Sequence, residues 1–353
     1  MRNGNPKSAT RPRVLQVIRR LDVPRGAERM VAELVRTQPN HNVLVFDGSG
    51  SFFDLGKGHI IEKKGLIRAL LFCLANRGRY DVFHLHMAPA VYFANLLGRK
   101  AVMQIHSYYN ARWENPVNRV LLWMACRRSK ATIAVNAAAA RSIRHYFGNV
   151  PRLHALTNFC VDLKTGAPEP GPRMSGRARL LMVASLARPK RQDIAIQALA
   201  RLPDDYDLVL AGTGEDEDQL RRLAEELGLL ERVSFAGAVK DVARLYQAAD
   251  MCLLLSDWEG FGLVVIEAAQ FGVPTIVNNI EGLRQSCPDP RFIASELAPE
   301  AVARKITEVA SLKKQMDMTG VLESYWKQHS VDAYVARLET IYRSDARICS
   351  SSE

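Results

Sequence analysis

The chain has 353 residues, 48% of them hydrophobic and 24% charged, with a formal net charge of +11. That balance is ordinary for a soluble globular protein, and the length predicts two domains that each bury a core. Six scattered cysteines without a Cys-x-x-Cys pair exclude a disulfide framework and a zinc site, and the longest apolar stretches, 66–74 and 120–126, are too short to span a bilayer.

Residues 1–13 are polar and basic, lack an apolar signal-peptide core, and read as the flexible head of a cytoplasmic protein. Residues 14–18 (VLQVI) predict a first strand, 19–26 a loop, and 27 to about 37 a helix. Further strands are expected at 43–46, 81–86, 101–105, 131–135 and 152–156, with helices between them. This βαβα order predicts an α/β, doubly wound parallel sheet over residues 14–162. Residues 163–177 (LKTGAPEPGPRMSGR), rich in Pro and Gly, read as a linker.

The pattern restarts in a second domain, 178–330. Strands are expected at 180–184, 206–211, 233–236 and 251–255, helices at 192–202, 216–227 and 241–248, and a closing strand at 275–277. A final helix from about 331 to 344 carries Tyr334, Leu338, Ile341 and Tyr342 on one face and forms, with the tail, a last segment 331–353.

Charge divides unevenly. Residues 1–175 hold 27 Lys and Arg against 10 acids, whereas 176–353 hold 21 against 27. A basic half joined to an acidic half points to an anionic partner on the basic side. No nucleic-acid recognition motif is present, so no nucleic-acid partner is expected. A peripheral contact with an anionic membrane fits better. Residues 63–74, from Lys63 and Lys64 through Arg68, with Arg77 and Arg79 beyond, form a basic helix with an apolar face, although an ordinary core helix with charged ends has the same pattern.

The most informative run is Ser256-Asp257-Trp258-Glu259-Gly260-Phe261-Gly262-Leu263-Val264-Val265-Ile266-Glu267. It follows an apolar strand of the kind buried on both faces of a parallel sheet. Glu259 therefore sits on the loop at the carboxyl end of a strand, where open α/β sheets bind ligands, and Glu267 sits in the following helix. Gly260 and Gly262 allow close approach of the backbone, and the helix start offers N–H groups to an anion. The spacing of two glutamates alone is weak. Together with its flanks, the run resembles the E-x7-E signature of retaining GT-B glycosyltransferases, most closely glycosyltransferase family four.

That resemblance implies two facing Rossmann-like domains with an interdomain cleft, the last helix returning to the first domain. It places Glu259 near the donor sugar, Phe261, Gly262 and Leu263 on the diphosphate, and Glu267 on the ribose. No Gly-x-Gly-x-x-Gly follows the first strand, against a nicotinamide or flavin enzyme. The family's Gly-Gly-Ala-Glu appears as Arg25-Gly26-Ala27-Glu28, which keeps Gly26 at the donor phosphate and departs from the pattern at Arg25. His106, ending a strand, matches a histidine near the sugar hydroxyls, whereas His84 and His86 read as structural. Lys190 matches the family lysine on the diphosphate. Ser185 replaces the accompanying arginine, a loss for which Arg188 or Arg191 compensates. Gly214 matches a loop at the donor and Val239 the segment framing the nucleobase. Asn158 to Asp162 varies a hinge motif.

The expected function is transfer of a sugar from a UDP- or GDP-linked donor to an acceptor hydroxyl, with retention of configuration. No cofactor and no metal are expected, there being no Asp-x-Asp. The implied acceptor is a glycan or lipid-linked one of bacterial surface polysaccharide, lipopolysaccharide or glycolipid synthesis, met at the inner face of the membrane. Other readings of the same chain are a GT-B nucleotide-sugar epimerase or hydrolase, and a catalytically silent GT-B partner subunit.

Overall fold

Apolar runs that lack polar alternation can only be strands covered on both faces, and most of the central strands are buried along their whole length. The structure, a computed structural model, describes residues 11–23, 26–56, 59–106, 115–164, 176–239, 241–315 and 318–344. The chain divides into two units, Met1–Thr157 with Val331–Glu353, and Asn158–Ser330.

In the first unit the strands are β1 (Val14–Ile18), β2 (His41–Val45), β3 (His59–Glu62), β4 (Val82–His86), β5 (Ala101–Ile105), β6 (Ala131–Ala134) and β7 (Leu153–Ala155). They form a parallel seven-stranded sheet in the order β3-β2-β1-β4-β5-β6-β7, so the winding direction reverses between β1 and β4. The helices are α1 (Gly26–Thr37), α2 (Leu66–Ala75), α3 (Ala94–Leu97), α4 (Pro116–Arg128) and α5 (Ala137–Phe147). Local chemistry sets their ends: the Asn115 side chain accepts from Val117 N and starts α4, and Asn136 accepts from Ala139 N and starts α5.

The second unit repeats the plan. Its strands are β8 (Ala178–Val183), β9 (Tyr206–Ala211), β10 (Val233–Gly237), β11 (Met251–Leu254), β12 (Thr275–Asn278) and β13 (Ile293–Ala294), in the order β10-β9-β8-β11-β12-β13. Its helices are α6 (Gln192–Leu199), α7 (Glu217–Glu226), α8 (Ala243–Ala248), α9 (Leu263–Gln270), α10 (Glu281–Ser286), α11 (Pro299–Gln315) and α12 (Thr319–Gln328). The last helix, α13 (Val331–Arg343), packs on the first unit. Tyr334 donates to Gln104 Oε1 at 3.2 Å, the Tyr342 hydroxyl lies 2.7 Å from His84 Nδ1, and Lys130 Nζ donates to the Tyr342 carbonyl at 2.5 Å.

Two strands depart from the sequence reading. β3 was not expected, because its two isoleucines sit between polar ends on a half-exposed edge. β12 does not close its sheet: the two-residue β13, too short to show a period, pairs beyond it. Leu163 belongs to the second unit, its N–H bonded to Gln270 Oε1 at 2.9 Å, and residues 165–175 of the expected linker lie outside the described residues.

One largely buried arginine ties the floor of the second sheet. Arg232 donates to the carbonyls of Tyr206 (3.0 Å) and Pro203 (2.7 Å) and to Asp204 Oδ1 (2.8 Å), with its side chain only 10% exposed. Replacing it with Met removes charged donors from several carbonyls at once. Thermal and urea unfolding of Arg232→Met should show a loss of about 2–3 kcal/mol.

Candidate functional site

β11 ends at a loop that is anchored before it can present any group. Ser256 is fully buried, and its main chain is held by Asn278 at the end of β12. Ser256 N donates to Asn278 Oδ1 and Asn278 Nδ2 donates to Ser256 O, both at 2.9 Å. Five residues on, Phe261 plugs into a small core with Cys160 and Ile266, its ring 5.6 Å from that of His329. Gly262 then heads α9 with φ of 77°, and a Cβ there would lie 2.6 Å from Leu254 Cδ2. α9 has no side-chain cap and no acid in its first turn, so the positive end of the helix is not neutralised from within.

Glu267 is not a surface acid. It is buried on α9 and accepts a hydrogen bond from the Tyr246 hydroxyl at 2.6 Å, and Tyr246 is stacked on Phe271 with ring centroids 5.9 Å apart.

A second loop, following β8, is stitched to the first. Asp257 N donates to Pro189 O at 2.9 Å, and Lys190 Nζ lies 2.5 Å from Glu259 Oε2. Arg191, in the left-handed region at φ of 51°, reaches Asp193 (3.0 Å) and Asp257 (3.2 Å). The hydrogen bonds that Arg191 donates to Asp193 hold its guanidinium above its ordinary pKa. Lys190 and Arg191 are thus both matched to carboxylates. Arg188 is exposed and has no partner for its guanidinium among the described residues, and Ser185 beside it is exposed too. Of the two arginines expected to offset Ser185, Arg188 is the one not already committed.

The neighbouring loops close on these by contact that only glycine permits. A Cβ on Gly212 would lie 1.9 Å from Ala184 O, and one on Gly214 would lie 2.0 Å from Leu186 O. Leu186 N donates to Thr213 O and Gly212 N to Gly237 O. Val239 follows, half-buried against the cluster that holds Tyr246. The structure therefore gathers Arg188, Lys190, Arg191, Gly214, Val239, Glu259, Phe261, Gly262, Leu263 and Glu267 around the carboxyl ends of β8 to β11.

Gly26 and His106 belong to the first unit. Gly26 is exposed and opens α1, while Arg25 lies outside the described residues. His106 follows β5 directly, its Nε2 3.0 Å from His86 Nδ1, and burial pushes its pKa down to about 4. His84 and His86 are fully buried, and burial holds both well below the ordinary imidazole range.

Residues 24–161 match the family description Glycosyltransferase Family 4, and residues 168–320 match Glycosyl transferases group 1. The chain belongs to the group 1 glycosyltransferases. The chain is similar to N-acetyl-alpha-D-glucosaminyl L-malate synthase of Bacillus anthracis, 29% identical over 46% of this chain and 44% of that one. It is also similar to glycogen synthase of Mycobacterium tuberculosis, 30% identical over 73% of this chain and 66% of that one. It spans less than half the length of the first curated relatives it matches. Among solved structures it is similar to HepE of Anabaena in complex with UDP-glucose, with a TM-score of 0.78, 19% identity, and coverage of 92% of this chain and 97% of that one. That likeness shows the fold, which is GT-B.

Tyr246, Asp257 and Asn278 were not singled out from the sequence. Asn278 carried a signal, a polar side chain ending an apolar strand, whereas the partners of Glu267 and Arg191 come from elements remote in sequence. Among the described residues no group of three or more His, Cys, Asp or Glu is placed to hold a metal ion.

Two glycine substitutions separate site geometry from helix propensity. Gly262→Ala puts a Cβ into Leu254 at positive φ and should lose about 1–2 kcal/mol in urea unfolding. Gly320→Ala, near the start of α12 with nothing within 4 Å of the added carbon, should gain up to about 1 kcal/mol.

Proposed function

We propose that this transferase moves a sugar from a nucleotide-sugar donor to an acceptor hydroxyl with retention of configuration and without a metal ion. The anomeric carbon exchanges its bond to the diphosphate oxygen for one to the acceptor oxygen, and the acceptor proton leaves with the diphosphate. The observation that carries the reading is the Lys190–Glu259 pair, set beside Arg188 and the uncapped start of α9. Charge grows on the departing diphosphate, and fixed cations and helix amides are the groups that stabilise it. Glu259 meets the donor sugar, Glu267 the ribose, Val239 and Gly214 the nucleotide, and Gly26 and His106 the sugar and acceptor side. The complex of HepE with UDP-glucose supports a UDP-linked sugar.

The acceptor we propose is a lipid-linked or surface glycan, as in lipopolysaccharide synthesis, reached at an anionic membrane face. From Lys63 to Cys160 the chain carries 15 Lys and Arg and only two acids, Asp81 and Glu114. α2 buries only Ala69 and Cys73 and leaves Leu66, Ile67 and Leu71 exposed. α4 likewise exposes Val117, Val120 and Trp123 beside Arg119, Arg127 and Arg128. Apolar side chains ringed by cations suit the interface of an anionic bilayer. Among the described residues no helix is long and apolar enough to cross one.

Calorimetry with UDP and GDP tests the donor site. Glu267→Ala and Arg188→Ala should each weaken nucleotide binding by about 1.5–3 kcal/mol, whereas Glu259→Ala should spare binding and lower turnover by orders of magnitude. Equal binding losses at Glu259 and Glu267 would undo the assignment. Failure of every nucleotide sugar to yield nucleoside diphosphate would favour the non-catalytic partner subunit.

Vesicle sedimentation tests the membrane face. The triple change of Lys63, Lys64 and Arg68 to Glu should release the protein from anionic vesicles at low salt without altering nucleotide affinity. Raised salt should weaken the wild-type contact as the Debye length shortens from ~10 Å to ~3 Å. Indifference of the wild type to anionic vesicles at low salt would end this reading.

A further inference from the structure

Beneath α13, the first unit holds a continuous line of polar side chains, of which the reading above uses only His106. Gln16 on β1 sits at its centre. Gln16 Oε1 lies 2.6 Å from His86 Nε2, and Gln16 Nε2 lies 3.1 Å from His41 Nδ1. His86 Nδ1 in turn lies 3.0 Å from His106 Nε2. Gln16, His41 and His86 are all buried, while His106 stands partly buried at the carboxyl end of β5.

An amide differs from an imidazole in that its two ends cannot exchange roles: the oxygen only accepts and the nitrogen only donates. An acceptor facing His86 Nε2 requires the proton of that ring on Nε2, which leaves its Nδ1 as a lone pair. That lone pair requires the proton of His106 on Nε2. His106 is left with a bare Nδ1, which has no partner among the described residues. On the other side, the amide nitrogen of Gln16 fixes His41 with its lone pair on Nδ1. Deeper in the same layer the Tyr342 hydroxyl lies 2.7 Å from His84 Nδ1. The rings stay singly protonated at neutral pH, since burial brings His41 to about 3 and His106 to about 4. The amide oxygen carries no proton to pass on, so the line holds a polarity and does not shuttle protons.

We propose that Gln16 is a positioning residue that fixes the tautomer of His106 through His86, so that His106 meets a sugar hydroxyl only as a hydrogen-bond acceptor at Nδ1. The encounter with the hydroxyl rests on the placement of His106 proposed above; the tautomer itself does not. A site limited to accepting selects a substrate group that can donate, a hydroxyl, over a carbonyl or ether oxygen in the same place.

The test is nitrogen-15 NMR of the histidine rings in the full chain at neutral pH. Wild type should show His86 and His106 protonated on Nε2 and unprotonated on Nδ1. Gln16→Leu removes the lock and should give mixed tautomers at both rings. Gln16→Glu supplies an acceptor to His86 Nε2 and should restore the wild-type pattern, and His41→Asn should leave it intact. A wild-type His106 protonated on Nδ1, or a Gln16→Leu chain with unchanged ring signals, would overturn the proposal. Donor turnover gives a second readout: Gln16→Leu should lower kcat at least tenfold with UDP affinity unchanged, and Gln16→Glu should recover it. A lost tautomer with unchanged kcat would overturn the link to the sugar while leaving the lock in place.

Discussion

Strands buried on both faces leave polar chemistry nowhere to go but their carboxyl ends. Leu180, Leu181 and Met182 of β8 and Met251 to Leu254 of β11 are sealed between helix layers, and the first polar side chains the chain can offer come after them. The loops after β8 and β11 emerge beside each other because these strands are neighbours in the sheet. Everything at the candidate donor site follows from that adjacency. Asp257 N can reach Pro189 O, Lys190 can reach Glu259, and Arg191 can bridge Asp193 and Asp257. Glycine at 212 and 214 brings the loop after β9 down on the carbonyls of Ala184 and Leu186.

The ion pairs there are better understood as positioning devices than as sources of stability. Lys190, Glu259, Arg191 and Asp257 are each about a fifth to a third exposed, and such pairs contribute little net free energy. Their geometry is held by the backbone bond between Asp257 and Pro189 and by the buried Asn278–Ser256 clamp. Glu267 is the contrasting case. A buried carboxylate needs hydrogen-bond donors, and Tyr246 supplies one from a ring that is itself fixed by stacking on Phe271. Burial, with the Glu267 charge adding to it, also drives the thiol of Cys252 far above its ordinary pKa, so this cysteine serves as an inert core residue.

Much of this was legible in the residues. The run from Ser256 to Glu267 carries its own strand, loop, glycines and helix, so local sequence is enough to place Glu259 and Glu267 at one loop and one helix. The buried strands and α13 show equally plainly, because uninterrupted apolar runs and a 3.6-residue stripe are strong periods. What stayed hidden depends on partners distant in sequence or on elements too short to have a period. β13 has two residues, and β3 buries little. The commitment of Arg191 to Asp193 and Asp257 follows from a left-handed residue that no spacing announces. Burial of Glu267 could not be told from a helix-surface acid until Tyr246 on α8 was placed beside it.

The two sheets solve the same problem in different ways. In the second unit, each cation but Arg188 in the loop after β8 is matched to a carboxylate at the rim, and the buried Glu267 is bonded by Tyr246. In the first, the net charge is strongly positive, yet the polar interior is built without it, from Gln16, Gln104 and neutral imidazoles under the tyrosines of α13. An ionised group in that layer would carry a desolvation cost that no carboxylate is there to offset, whereas amides, phenols and neutral imidazoles can each donate and accept. That choice has a directional consequence. A chain of such groups has a sense, donor to acceptor, which an ion pair lacks, and its sense is transmitted from a residue sealed in the sheet to one that is only partly buried at its edge. A histidine at the end of a parallel strand is then defined less by its own pKa than by the amide two side chains behind it.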